Sequence, residues 1–138
     1  RLPEVRAKAG DRAVLRAIHV YEDNRRVERQ VEALRSGDFP AFLALVRDSG
    51  LSSWRFLQNV IPAGYTRHQE VALALALAER LLDGRGACRV LGGGFAGTIQ
   101  AFVPLDLLER FRSEMDRVLG TGACHVLSIR PVGGVRLA

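Results

Sequence analysis

Between Asp11 and Arg35 the positions Ala13, Ala17, Val20, Asn24, Val27, Val31 and Leu34 recur at alternating spacings of four and three. That rhythm places them on one face of a long helix, with Asn24 the only polar member. Val14, Ile18 and Tyr21 add a second apolar face to the first half, so that half is expected to be the more deeply buried. Ser36-Gly37-Asp38 ends the helix, with Gly37 as a left-handed C-cap. Asp38 caps a short helix through Phe39 to Val46, with Pro40 in its first turn. Asp48-Ser49-Gly50 is expected to break it, and Ser52-Ser53 to cap another through Trp54, Phe56, Leu57 and Val60. Pro62-Ala63-Gly64 reads as a turn. Thr66 with Gln69 three residues on matches a capping box for a helix that runs to about Asp83. Its Val71–Ala78 stretch alternates like a strand, but alanine and leucine are the best helix formers and no β-branched residue follows Val71.

The second half changes character. Ala87–Leu91 and Thr98–Val103 are short apolar runs of strand-like composition, joined by the glycine-rich stretch Gly92 to Gly97. Pro104 opens a helix whose inward stripe is Leu108, Phe111, Met115 and Val118, and Gly120-Thr121-Gly122 closes it. Ala123–Ile129 reads as a third strand and Gly133–Leu137 as a short fourth. The order predicts an α+β domain: an antiparallel four-stranded sheet with helices packed on one face. An apolar opposite face would need its own cover, which a further domain could supply.

Composition narrows the class. The chain has 138 residues, 48% hydrophobic and 25% charged, enough for one domain with a core. No run approaches the roughly 20 apolar residues of a membrane span. With only Cys88 and Cys124 there is no disulfide framework, which fits a reducing cytoplasm. His19, His68 and His125 are isolated and no Cys-x-x-Cys occurs, so no metal site is expected. The net charge of +5 comes almost wholly from arginine, since Lys8 is the only lysine. Runs such as Glu22-Asp23-Asn24-Arg25-Arg26 interleave those arginines with acids, as on a solvated helix face, so a nucleic-acid partner is not expected. The chain begins at Arg1 rather than methionine and is read as processed or as a piece of something longer.

Candidate chemistry centres on Gly92, Gly93, Gly94, Phe95 and Gly97. Glycines clear side chains away, so successive amides can turn toward one spot and seat phosphate oxygens. A tight hairpin that merely needs glycine reads the same way. Two familiar glycine patterns do not fit. A dinucleotide fingerprint opens a helix, whereas a strand follows here, and a Walker loop needs lysine before its hydroxyl residue, which Gly97-Thr98 lacks.

Three segments carry a more specific signal. Gly86-Ala87-Cys88-Arg89-Val90-Leu91-Gly92-Gly93-Gly94-Phe95-Ala96-Gly97-Thr98 resembles the third motif of galactokinases, in the GHMP kinase superfamily. Arg16-Ala17-Ile18-His19-Val20 with Glu22 and Arg25 is similar to that family's Arg-Ala-x-His-Val-x-x-Glu-x-x-Arg helix. Ser36-Gly37-Asp38 and Ser49-Gly50-Leu51-Ser52 resemble its Gly-Asp to Ser-His-x-Ser segment. The departures are Gly50 in a histidine position, Ala96 in a glycine position, and Val60-Ile61-Pro62 with the Leu-Ala helix in place of a Val-Ser-x-x-Glu-Leu-Asp stretch.

The resemblance covers nearly the whole chain and implies residues 1–138 as a GHMP kinase C-terminal (ferredoxin-like) domain, with its N-terminal domain absent and as its partner. It implies transfer of the ATP γ-phosphoryl group to the anomeric hydroxyl of galactose, with Mg2+ and ATP bound mainly by the N-terminal domain. The catalytic groups would lie there too, so this chain would hold no catalytic residue and be inactive alone. It would supply one wall of the cleft, with Gly92, Gly93, Gly94, Phe95 and Gly97 near phosphate and substrate. Ser49 and Ser52 are candidate ligand-facing residues, although helix capping also accounts for Ser52. Gly94→Val is expected to lower turnover by blocking the backbone's approach. The apolar docking surface is expected to drive self-association. Open alternatives are a standalone ligand-binding or interaction domain on this fold and a GHMP kinase for another small-molecule alcohol.

Overall fold

A computed structural model describes residues 1–95 and 97–133. Helix α1 (Leu2–Arg35) is broken at Gly10, whose φ of 79° and ψ of 171° leave helical space. The segment before the break is itself helical, and Leu2 and Val5 face Val14, Ala17, Ile18 and Tyr21 across a shallow groove. At the far end, Gly37 N–H donates to the Leu34 carbonyl and Asp38 N–H to that of Ala33, the paired bonds of a Schellman stop. Asp38 then caps α2 (Phe39–Ser52) by accepting from Ala41 N–H at 3.0 Å. A single π-helical turn (Ser53–Leu57) extends it and ends at Gln58, whose φ is 56°. Pro62 to Tyr65 forms the expected turn. Then come α3 (Glu70–Leu82), β1 (Ala87–Val90), β2 (Ile99–Phe102), a 3-10 turn (Leu105–Leu107) and α4 (Leu108–Leu119).

The two strands pair antiparallel in one hairpin, with Ala87 opposite Phe102, Cys88 opposite Ala101, Arg89 opposite Gln100 and Val90 opposite Ile99. Strand periodicity then divides these residues between two faces. Cys88 and Val90, with Ile99 and Ala101, join Val71, Ala74, Leu75, Ala78, Phe111 and Met115 in the main core against α3 and α4. On the other face Phe102 meets Phe42 of α2 edge-on at 5.3 Å, and Arg89 reaches Ser49. The hairpin is therefore the middle of three layers, with α1 and α2 on one side and α3 and α4 on the other.

This corrects the predicted four-stranded sheet with helices on one face. The described residues hold one two-stranded sheet, covered by helices on both faces. Ala123–Ile129 is largely apolar but has no ladder partner among the described residues. The Asp116 carboxylate accepts from Gly122 N–H at 3.1 Å and Cys124 N–H at 2.9 Å, turning the chain just after α4. Beyond it Leu127 and Ile129 stay 86% exposed. Gly133 is irregular, and the rest of the expected fourth strand lies outside the described residues.

Other expectations shift for local reasons. Gly50 does not break α2. A Cβ there would lie 3.0 Å from Arg89 Cβ and 3.2 Å from the Cys88 carbonyl oxygen, so the glycine lets β1 lie close against the helix. Ser52 continues the helix instead of capping a new one. α3 starts at Glu70 with no side-chain cap, and Gln69 donates to the Tyr65 carbonyl instead of completing a capping box. The Val71–Ala78 run is helical, as expected. The apolar stripe of α1 faces outward: Ala17, Val20, Val27, Val31 and Leu34 are exposed, while His19 and Ala33 are buried and Asp23, Arg26 and Gln30 are half-buried. A polar stripe faces α2 because α2 answers it with hydroxyls.

Candidate functional site

The glycine loop leaves β1 at Leu91 and re-enters the hairpin at Thr98, where Leu91 N–H donates to the Thr98 carbonyl at 3.1 Å. Its residues divide by exposure. Gly92, Gly93, Phe95 and Gly97 are exposed, and Gly94 is buried. A Cβ on Gly92, Gly93 or Gly97 would meet nothing within 4 Å, so the outer surface of the loop is open. A Cβ on Gly94 would lie 2.0 Å from the Asn59 carbonyl oxygen and 2.8 Å from both Asn59 Cβ and Cγ. Phe95, at a φ of 46°, donates its N–H to the same Asn59 carbonyl at 3.1 Å. The loop tip is thus laid down on Asn59, a residue sequence reasoning did not single out. Asn59 is 3% exposed, and among the described residues neither its Nδ2 nor its Oδ1 has a partner. Buried amides are normally paired, so this is the most unusual polar group near the loop.

Beneath the hairpin, residues from all three sequence motifs meet in one polar network. His19 Nδ1 and Ser52 Oγ share a hydrogen bond of 2.9 Å. His19 Nε2 lies 3.9 Å from Asp23 Oδ2, which favours the proton on that nitrogen and leaves Nδ1 to accept from the serine. Ser49 Oγ donates to Asp23 Oδ1 at 2.6 Å and accepts from Arg89 Nη1. Arg26 donates to the same Asp23 oxygen, and Arg89 Nε to the Val90 carbonyl at 3.1 Å. Glu22 and Arg25 stand apart, paired with each other at 2.9 Å on the exposed side of α1.

Ser49 and Ser52 are both buried, with their hydroxyls engaged in this network. Ser49 meets Arg89 on β1's outer face, Ser52 meets His19 of α1, and the glycines form the turn beyond β1's end. Asp23 and Arg89 are the residues sequence reasoning missed here. Asp23 stands one helical turn after His19, on the same face, and Arg89 leads directly into the glycine stretch.

The network's protonation follows from burial and charge. Burial lowers the His19 pKa, with Arg89 and Arg26 adding to the shift and Asp23 opposing it. Burial alone would raise that of Asp23, but the Ser49 and Arg26 hydrogen bonds and the Arg89 charge outweigh it and leave it lowered. The cluster is therefore a neutral imidazole beside a carboxylate held ionised by two guanidinium groups.

A separate cleft of about 230 Å³ opens near the start of β1, lined by Arg47, Trp54, Leu75, Glu79, Leu82 and Gly86 among others. Among the described residues, none of the glycine loop lines it. Among the described residues there is no cluster of three or more candidate metal ligands, and no helix is long and apolar enough to cross a membrane.

Comparison with known proteins bears on this arrangement. Over 100 residues, 72% of the chain, it is 33% identical to a galactokinase of Glaesserella parasuis. It is 32% identical to one of Mannheimia succiniciproducens over the same share. This chain is related to galactokinases. The matched region is 24% of either relative, so the galactokinase-related chain spans about a quarter of their length. No family model matches it. No solved structure matches it either.

Proposed function

We propose that this chain is the C-terminal lobe of a two-domain, GHMP-type sugar kinase that transfers the ATP γ-phosphoryl group to the anomeric hydroxyl of galactose. The observation that supports it is the glycine loop. It is fixed at its base by the Leu91–Thr98 bond and at its tip by Asn59, yet open over Gly92, Gly93 and Gly97. Exposed, side-chain-free backbone suits phosphate oxygens, so the ATP phosphates fit against it. The described residues do not fit a resident Mg2+, whose ligands would come from ATP and from groups outside them.

In the transfer, a bond forms between the sugar oxygen and the γ-phosphorus as the bond to the β,γ-bridging oxygen breaks. ADP leaves with the electron pair, and the hydroxyl proton goes to a base on the N-terminal lobe. Such a reaction rests on positioning and charge stabilisation. This chain contributes position: Gly92, Gly93, Phe95 and Gly97 wall the cleft, while Ser49 and Ser52 act through Arg89 and His19 to hold β1 in place. The outward stripe Val20, Val27, Val31 and Leu34 docks the N-terminal lobe, and without that lobe it drives self-association.

The test is galactose phosphorylation followed by 31P NMR. The full-length protein forms galactose 1-phosphate, the 138-residue chain alone forms none, and Gly93→Val in the full-length protein loses most turnover. Turnover by the chain alone, or an unaffected Gly93→Val enzyme, overturns the proposal.

A further inference from the structure

We infer that the cleft beside the start of β1 is a binding site for a small apolar zwitterion, an amino acid with an aromatic or aliphatic side chain. This goes beyond the kinase reading and does not depend on it, because none of the residues it uses belongs to the glycine loop.

Two helical stripes wall the cleft, whose volume is about 230 Å³. Arg47, Leu51 and Trp54 come from α2 and the π-helical turn that extends it, and Leu75, Glu79 and Leu82 come from α3. Each set steps by four residues and then three, which brings one charge and two apolar side chains from each wall to the same space. Leu75 and Leu82 are buried, whereas Leu51 and Trp54 are 45% and 43% exposed, so the α2 wall offers apolar surface that a ligand can cover.

The two charges are opposite, and neither is paired. Arg47 Nη1 donates to the Gly86 carbonyl at 2.7 Å, which holds the guanidinium beside β1 and leaves its remaining N–H groups without a partner among the described residues. Neither Arg47 nor Glu79 forms an ion pair among those residues. The Glu79 charge nevertheless acts inward: it adds to burial in raising the pKa of Cys88, which also lines the cleft.

A ligand that answers both groups needs an ammonium for Glu79 and a carboxylate for Arg47. Such a head, with a hydrogen bond of about 2.8 Å on each side, reaches across about 8 Å, comparable with the width of a cleft this size. Its apolar side chain then lies against Trp54 and the leucines. Inorganic phosphate would meet Arg47 but be repelled by Glu79. A sugar would turn hydroxyls onto leucine, where nothing pairs with them.

Trp54 is the chain's only tryptophan, so its fluorescence reads this cleft alone. L-phenylalanine, which does not absorb where tryptophan is excited, should give a saturable change when added to the 138-residue chain. Glu79 is exposed, so Glu79→Gln keeps the far-UV circular dichroism of the parent while weakening L-phenylalanine binding about tenfold. Phenethylamine, which lacks the carboxylate, is weakened by Glu79→Gln in the same way. Phenylpropionate, which lacks the ammonium, is not weakened by it, an outcome that a merely structural role for Glu79 would not give. The inference is overturned if L-phenylalanine causes no saturable change below about 10 mM. It is equally overturned if Glu79→Gln binds L-phenylalanine as tightly as the parent, or if galactose or inorganic phosphate produces the change in its place.

Discussion

Gly94→Ala and Gly93→Ala, one residue apart, should behave oppositely. At Gly94 the new methyl would be placed 2.0 Å from the Asn59 carbonyl oxygen, a backbone atom that cannot swing aside. The φ of 72° adds the left-handed penalty, about 1–2 kcal/mol. Relieving the overlap by moving backbone adds about 1–3 kcal/mol and strains the Phe95–Asn59 bond. Together these give a loss of about 2–5 kcal/mol, a large part of the roughly 5–15 kcal/mol that holds a domain folded. At Gly93 nothing lies within 4 Å of the added carbon and φ is outside the left-handed region. Gly93→Ala should therefore be between neutral and about 1 kcal/mol more stable. Urea denaturation of both variants, followed by far-UV circular dichroism, reads the difference directly. Equal midpoints, or a Gly94→Ala protein within about 0.5 kcal/mol of the parent, would refute the packing of the loop on Asn59. The contrast also changes how kinetics are to be interpreted. A side chain at 94 meets Asn59 before it meets any ligand, so lost turnover in Gly94→Val mixes damage to the loop with damage to the site. Gly93 variants separate them.

Two further outcomes follow from titration and reactivity. Because the folded His19 pKa lies below 6.5, the unfolded chain takes up a proton that the native cluster refuses as pH drops through 6.5, so stability falls there; His19→Gln should flatten that slope in a pH series of urea midpoints, and an unchanged slope would exclude His19 as its source. Asp23, lowered from 3.8, adds a second loss only below that value. The Cys88 thiol, buried and pushed up to about 12, should resist a thiol reagent that modifies half-buried Cys124, until denaturant is added. Equal native-state rates at the two cysteines would contradict that burial.

What could be read from the sequence was what depends on neighbours along the chain. The hairpin around Gly92–Gly97, the helical reading of Val71–Ala78 and the stop at Gly37 rest on local composition, and each is present. The failures share another cause. Gly50 looked like a breaker because its packing partner, β1, is some forty residues away. The apolar stripe of α1 looked like a buried face because nothing local says that Ser49, Ser52 and Arg89 would draw in the polar stripe instead. Ala123–Ile129 is apolar enough to read as a strand, but a strand also needs an edge to pair with, and Asp116 turns the chain first. Asn59 carried no signal at all: a single asparagine after a glutamine means nothing until Gly94 is found lying on it.

The geometry also connects segments that the sequence keeps far apart. Arg89 is the junction. Its Nη1 donates to Ser49, which in turn donates to Asp23, and Asp23 faces His19 and holds Arg26. Its Nε is anchored on the carbonyl of Val90, the last residue of β1. The end of β1 is therefore tied to α1 through two side chains, and that end is where the glycine loop begins. From below, α2's continuation through the π-helical turn delivers Asn59 to the loop's tip. A loop with so many glycines would be floppy on its own, since glycine has the most conformational freedom to lose. Here its base is fixed by a charged network and its tip by one buried asparagine, which leaves the outer amides at Gly92 and Gly93 open but not free to wander. Open backbone at a fixed position is what the proposed phosphoryl-transfer wall would require, and the motif residues of α1 and α2 supply that fixed position.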